Sequence, residues 1–225
     1  MRVIEAVLFD MDGLMFDTET LGVRALRETG EKFGCGRIME VVPRMMGSNA
    51  VKSRKICMEH MGADFPFDEF MRYRQKMIDR RIEEQGVPVK PGLRELLAYL
   101  KRENFRTAVA TSTSRAHAMN YIEKAGILPL FDAIVCGDML EKSKPDPEIY
   151  LKTAGALGKA PENCMALEDS PNGLASAHAA GMTTVMVPDL IPFGKELGKQ
   201  VDACVSSLSD VIPLLERLRG NKFEK

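Results

Sequence analysis

Long hydrophobic runs are missing from this chain of 225 residues, and so is any strong charge of one sign. No apolar stretch approaches the roughly 20 residues that a membrane-spanning helix needs, and no signal-peptide pattern precedes the first apolar run. A formal net charge of −1 removes the basic field that nucleic-acid binders present. The basic cluster from Met71 to Arg81 is followed by Glu83 and Glu84 and reads as a solvated helix face. Cysteine is sparse and irregular: Cys35, Cys57, Cys136, Cys164 and Cys204 are odd in number and show no C-x-x-C spacing. That argues against a disulfide framework or a thiolate metal cluster and fits the reduced thiols of a cytosol. Cys136 and Cys164 stand in apolar runs, where cysteine behaves as a small hydrophobe. Repeats and low-complexity segments are absent as well. The expectation is a soluble, cytoplasmic, globular protein with no membrane and no nucleic-acid partner.

What is present begins with an apolar run from Val3 to Phe9, broken once at Glu5, that ends in Asp10-Met11-Asp12-Gly13. A short apolar run bounded by turn residues reads as a buried parallel strand. Ligands of open α/β sheets bind just beyond the carboxyl ends of the strands. Two carboxylates at i and i+2 in such a place are costly to hold together without a cation. They suggest a magnesium and phosphoryl site; the alternative is a turn or helix cap, for which Asp and Gly are common.

The stretch from Thr18 to Gln85 carries no strand signal and is punctuated by Gly34-Cys35-Gly36, Pro43 and the segment Gly62 to Pro66. Asp17 or Thr18 is a candidate N-cap. Met45, Val51, Ile56 and Met58 are expected as the apolar positions of one helix, and Phe67, Phe70, Met71, Met77 and Ile78 of another. From Val87 onwards helices and strands alternate. Helices are expected at 91–100, 114–125, 146–157, 171–181 and 211–218, and strands at 105–110, 133–136, 164–167 and 183–187. Gly126 suits the left-handed position that ends a helix. Alternation of this kind implies an α/β fold, a Rossmann-like parallel sheet covered on both faces. One strand, a helical stretch and resumed alternation imply an inserted all-helical cap. The expected organisation is a catalytic core of residues 1–17 and 87–225 and a cap of residues 18–86, with glycine-containing connections that could hinge.

Three later features lie at or near strand ends, where the first aspartate pair is also expected. The strand 105–110 runs into Thr111-Ser112-Thr113-Ser114, where hydroxyls and amides at a helix entrance make a phosphate cradle; Ser114 is a candidate helix cap. Lys144 is framed by Pro145 and Pro147, which fix its backbone. The strand 164–167 ends in Glu168-Asp169, with Ser170 as the cap of the next helix. Two acid pairs on adjacent strands would repel strongly unless a hard cation with oxygen ligands neutralised them.

An aspartate pair with glycine, a hydroxyl at a strand end, Lys-Pro and the Glu168-Asp169 pair, in that order over essentially the whole chain, resemble the haloacid dehalogenase superfamily. The resemblance is to the branch that includes β-phosphoglucomutase and small-molecule phosphatases with a helical cap. It implies Asp10 as nucleophile and Asp12 as general acid and base. It implies that Thr111 and the Ser112 amide bind the phosphoryl oxygens beside Lys144. Mg²⁺ would be held by the Asp10 carboxylate, the Asp12 main-chain carbonyl and Asp169, with Glu168 acting through metal-bound water or as an alternative ligand. A small phosphorylated metabolite is the implied partner, and a monomer the implied state.

The cap separates hydrolase from mutase. Sequences like β-phosphoglucomutase carry a cap histidine four residues beyond the Asp-Thr of the first motif, where this chain has Gly22. They also carry an arginine three residues after a cap glycine; counting from Gly47 gives Ala50. A phosphonate-cleaving member would need a cap lysine, and positions 19–27 offer only Arg24 and Arg27. Phosphatase is the preferred reading, with a sugar phosphate as the expected substrate; a phosphomutase and a non-catalytic binding protein are the alternatives. Arg44, Lys52 and Arg72 are candidates for contacting the leaving group, each also readable as a solvated surface charge.

Overall fold

A single parallel sheet organises the larger part of the chain in the computed structural model, which describes residues 3–45, 50–190, 194 and 198–220. Six strands lie in the order β3-β2-β1-β4-β5-β6: β1 (Ala6–Phe9), β2 (Arg106–Ala110), β3 (Ala133–Val135), β4 (Cys164–Glu168), β5 (Thr183–Met186) and β6 (Ala203–Cys204). Every pairing is parallel, with Phe9 in register with Val109 on one side and with Leu167 on the other. β1 and β4 are buried at every position, as expected of central strands covered on both faces. One face of the sheet, through Ala6, Leu8, Ala108, Ala110 and Ala166, packs on Ile149, Tyr150 and Ala154 and on Ala177. Those residues belong to α7 (Glu148–Ala156) and α8 (Pro171–Ala179). The remaining helices of this part are α5 (Leu93–Arg102), α6 (Arg115–Lys124) and α9 (Val211–Gly220).

The chain divides into two compact units, Met1–Phe16 with Val89–Lys225 and Asp17–Pro88. The second is helical: α1 (Thr18–Lys32), α2 (Val42–Met45), α3 (Ala50–Met61) and α4 (Phe67–Gln85). Its own core is built by Leu26, Ile38, Val41, Ile56, Cys57, Phe67 and Phe70, with Phe33 edge-on to Phe70 at 5.4 Å. Asp68 and Glu69 sit in the first turn of α4, where negative charge complements the helix dipole. Its surface charges pair with one another: Arg54 with Asp68 at 2.6 and 3.0 Å, Arg44 with Glu59 at 3.6 Å, and Arg81 with Glu28. At Gly22, the space that a β-carbon would fill is taken by the Arg74 guanidinium, whose Nε donates to the Gly22 carbonyl at 3.2 Å.

Several local expectations need correction. β1 starts at Ala6 rather than Val3, which is 41% exposed; the polar break at Glu5 ends the buried run. Val51 is 79% exposed, so it is not a core position of α3: apolar spacing alone does not say which face finds a partner. The two-residue β6 carries too short a pattern to be read from sequence. Asp17 stands at the N-cap of α1 but makes no side-chain cap bond. Gly47, from which the mutase arginine was counted, lies outside the described residues. No helix of the described residues is long and apolar enough to cross a membrane.

Candidate active site

β1 delivers Asp10 to the carboxyl end of the sheet, where the Asp10 amide donates to the Leu167 carbonyl of β4 at 3.0 Å. The chain then leaves the sheet in a tight turn. Gly13 donates to the Phe16 carbonyl, and Met15 and Phe16 both donate to that of Met11. Gly13 has φ +83°, and a β-carbon there would collide with the Asp169 carboxylate. Glycine therefore answers two demands at once, a left-handed backbone and the close approach of a second acid. β4 ends beside β1 and supplies Glu168 and Asp169. Ligand oxygens of Asp10, Glu168 and Asp169 all lie within 4.8 Å of one another.

Lys144 reaches into this cluster from the turn before α7. Its Nζ donates to Asp10 Oδ1 at 2.5 Å, to Glu168 Oε1 at 2.6 Å and to the Ala110 carbonyl at 3.1 Å, and lies 5.2 Å from the centre of the Tyr150 ring. Asp10 and Lys144 are each 7% exposed and Glu168 is fully buried. Burial pushes the Asp10 carboxyl up to about 8; Lys144 opposes that shift, while Glu168 and Asp12 add to it. Burial also works against a charged Lys144, but Asp10 and Glu168 outweigh it and hold the ammonium above the ordinary lysine range. Asp10 is thus raised chiefly by burial and Lys144 by the two carboxylates that face it, and in the geometry two buried carboxylates share one lysine.

Glu168 accepts from four donors. Oε1 accepts from Lys144 and from the Tyr150 hydroxyl at 2.7 Å. Oε2 accepts from the Ser170 hydroxyl at 3.1 Å and the Ser170 amide at 3.3 Å. Four donors match the roughly four acceptor sites of a carboxylate. An all-oxygen donor set with excess negative charge fits a hard divalent cation. Asp10, Glu168 and Asp169 are the carboxylates whose oxygens lie close enough together to share it.

Asp12 and Thr111 share a second set of hydrogen bonds. Thr111 is fully buried, and its hydroxyl accepts from the Thr113 amide at 3.0 Å. Asp12 Oδ2 accepts a short hydrogen bond from the Thr113 hydroxyl at 2.6 Å and has only a long 3.5 Å contact to that of Thr111. Ser112, between the two threonines, is exposed. Ser114 occupies the N-cap position of α6 without capping it: its hydroxyl pairs with His117 Nδ1 at 2.9 Å, and the Arg115 amide is taken by the Asp138 carboxylate at 3.1 Å. By contrast Ser170 does cap α8, accepting from the Gly173 amide at 3.1 Å.

Sequence reasoning passed over Tyr150, Thr113 and the carboxylate-binding part of Ser170. Thr113 had a local signal, being at i+2 from Thr111 in the same turn. Tyr150 had none, because an aromatic in an amphipathic helix reads as core, which it also is. All five cysteines are free thiols, and burial raises that of Cys164 to about 11, away from any nucleophilic role.

Comparison with known proteins gives a consistent picture. A family profile described as haloacid dehalogenase-like hydrolase matches residues 7–187. A phosphorylated carbohydrates phosphatase of Thermotoga maritima is 33% identical over 182 residues, covering 81% of this chain and 84% of that protein. Hexitol phosphatase B of Escherichia coli (strain K12) is 32% identical over 193 residues, covering 83% and 85%. Among solved structures, CbbY of Rhodobacter sphaeroides in complex with phosphate superposes with a TM-score of 0.77 at 29% identity, covering 93% of this chain and 96% of that one.

Proposed function

The chain belongs to the haloacid dehalogenase-like hydrolases and is a phosphatase, and from that premise we propose that it hydrolyses a small phosphorylated metabolite, a sugar phosphate, through an aspartyl phosphate on Asp10. The observation that carries this reading is Asp10 itself. It is a buried carboxylate at a strand end, pinned to Lys144 at 2.5 Å and within ligand distance of Asp169. Relatives named for phosphorylated carbohydrates and hexitols support the substrate class.

Phosphate monoesters hydrolyse extremely slowly unaided, so the site must offset charge on an anionic substrate approached by an anion. Bound Mg²⁺, held by the carboxylates of Asp10 and Asp169 and the main-chain carbonyl of Asp12, would supply charge neutralisation at the phosphoryl oxygens. Lys144 neutralises the same oxygens from its fixed position, and Thr111 and the Ser112 amide donate hydrogen bonds to them. A free oxygen of Asp10 attacks phosphorus, and Asp12 gives its proton to the departing alkoxide. Asp12, now ionised, takes a proton from water as that water attacks phosphorus. The acyl phosphate is thereby cleaved to inorganic phosphate and Asp10 is regenerated. Glu168 keeps Lys144 charged and in place throughout.

Mg²⁺ as the metal, a monomeric state and a cytoplasmic location belong to the same reading. The test is phosphate release from a panel of sugar phosphates, hexitol phosphates and nucleotides, with Mg²⁺ and with excess chelator. Metal-independent release, or none from any member of the panel, would sink the proposal. The mutase alternative is tested by ³¹P NMR of β-glucose 1-phosphate with a trace of the 1,6-bisphosphate. Gly22 offers no imidazole, so inorganic phosphate is the expected product; rapid conversion to glucose 6-phosphate with little free phosphate would make the chain a mutase.

A further inference from the structure

Adjacent strands β1 and β2 end together, and the turns that follow them meet at one hydrogen bond. Asp12 lies three residues past Phe9 and Thr113 four residues past its register partner Val109. The Thr113 hydroxyl donates to Asp12 Oδ2 at 2.6 Å, at the short end of the range for such bonds. Thr111 offers that oxygen only a 3.5 Å contact, too long to hold a carboxylate in place.

Thr113 is itself held on both sides. Its amide donates to Thr111 Oγ1 at 3.0 Å, and its carbonyl accepts from the Gly137 amide at 3.0 Å. Gly137 can approach so closely because it has no side chain: a β-carbon there would run into the Ser112 carbonyl. With both backbone groups engaged and a β-branched side chain stiff at χ1, the Thr113 hydroxyl has a defined direction. We propose that Thr113 is the positioning residue of the acid–base step: its hydroxyl fixes the rotamer of Asp12 by holding Oδ2, and so aims the carboxyl at the leaving-group oxygen. This rests on the reading of Asp12 as the group that protonates the leaving group.

The acid step should be read in kcat/KM, which reports formation of the acyl phosphate, and its loss should show only where the leaving group needs a proton. The later attack of water, for which Asp12 is the base, is shared by all substrates. Misplacing a reacting group by about 1 Å costs on the order of 100-fold, so Thr113→Val should lower kcat/KM for glucose 6-phosphate by roughly 10–100-fold. With p-nitrophenyl phosphate, whose phenolate leaves without protonation, kcat/KM should stay within about threefold of the native enzyme. Thr113→Ser, which keeps the hydroxyl, should restore most of the glucose 6-phosphate rate, and Thr113→Ala should repeat the loss without the branched side chain. An unchanged kcat/KM for glucose 6-phosphate in both Thr113→Val and Thr113→Ala, equal losses of kcat/KM on the two substrates, or a loss that serine does not rescue would each overturn the proposal. Asp12→Asn is measured alongside. If it loses glucose 6-phosphate turnover while Thr113→Val does not, the positioning role alone fails; if it keeps that turnover, the acid–base reading fails and the positioning role with it.

Discussion

The sheet unit and the helical unit treat charge in opposite ways. Among the described residues, the buried ionisable acids and bases are Asp10, Lys144 and Glu168, all at the carboxyl end of the sheet; the helical unit buries only the neutral Thr29, whose hydroxyl bonds the Ala25 carbonyl one turn back. Its arginines pair with carboxylates at the surface, as Arg54 does with Asp68. Burying a charge is expensive unless it is paired and hydrogen-bonded. Three such groups in one place are therefore the costly feature on which the proposed site rests. Surface pairs contribute little and mark nothing. The reaction is legible in one unit, while substrate choice is not legible in the other.

The largest break of that comparison is Asp10→Asn. The amide is nearly isosteric but forms no acyl phosphate, so turnover should vanish while circular dichroism shows the native fold; a near-normal phosphatase rate would remove Asp10 from the chemistry. Metal removal should do the same reversibly. Activity lost in excess chelator should return with Mg²⁺ but not with Ca²⁺, which accepts more oxygens at longer distances than near-octahedral Mg²⁺. Asp12→Asn should cost about 10²–10⁴-fold on poor leaving groups, the usual range for a general acid or base.

A smaller effect concerns stability and runs the other way. The folded Asp10 carboxyl titrates at about 8, above its value of roughly 4 in an unfolded chain. A raised carboxyl contributes most stability below pH 4, and that contribution is lost as the pH rises towards 8. In chelator at pH 8, Asp10→Asn should therefore melt above the native protein, by roughly 2–4 °C for each kcal/mol relieved. A lower melting temperature for the asparagine variant under those conditions would contradict the excess of buried negative charge. The smallest effects belong to the helical unit. Arg44→Ala and Arg72→Ala should change KM for sugar phosphates by less than about threefold, as for ordinary surface charges. A tenfold rise for either would identify a substrate contact and narrow the contrast between the units.

How far the sequence could be read follows the same division. The strand of Val7 to Phe9 running into Asp10, the Lys144-Pro145 frame and Glu168-Asp169 are local signals, because a strand end fixes where the next residues go. Ser114 shows the limit of such signals. Its place at the start of α6 is legible, but its hydroxyl pairs with the ring of His117, and Asp138, arriving from the segment after β3, takes the Arg115 amide; neither partner can be read from the N-cap position. Val51 failed for a related reason: helical spacing identifies a stripe, and packing decides whether anything covers it.

By itself the sequence determined the parallel α/β core, the helical insertion and which side chains could carry phosphoryl chemistry, since those follow from periodicity and from residue types at strand ends. Only the tertiary structure decided how those side chains divide their work. It took β1 and β4 side by side to bring Asp10 and Asp169 within reach of one cation. It took α7 to set Tyr150 and Lys144 on Glu168, and the clamped turn after β2 to give Asp12 to Thr113. Each of these depends on distance between residues far apart in the chain, and buried charges take their properties from that distance.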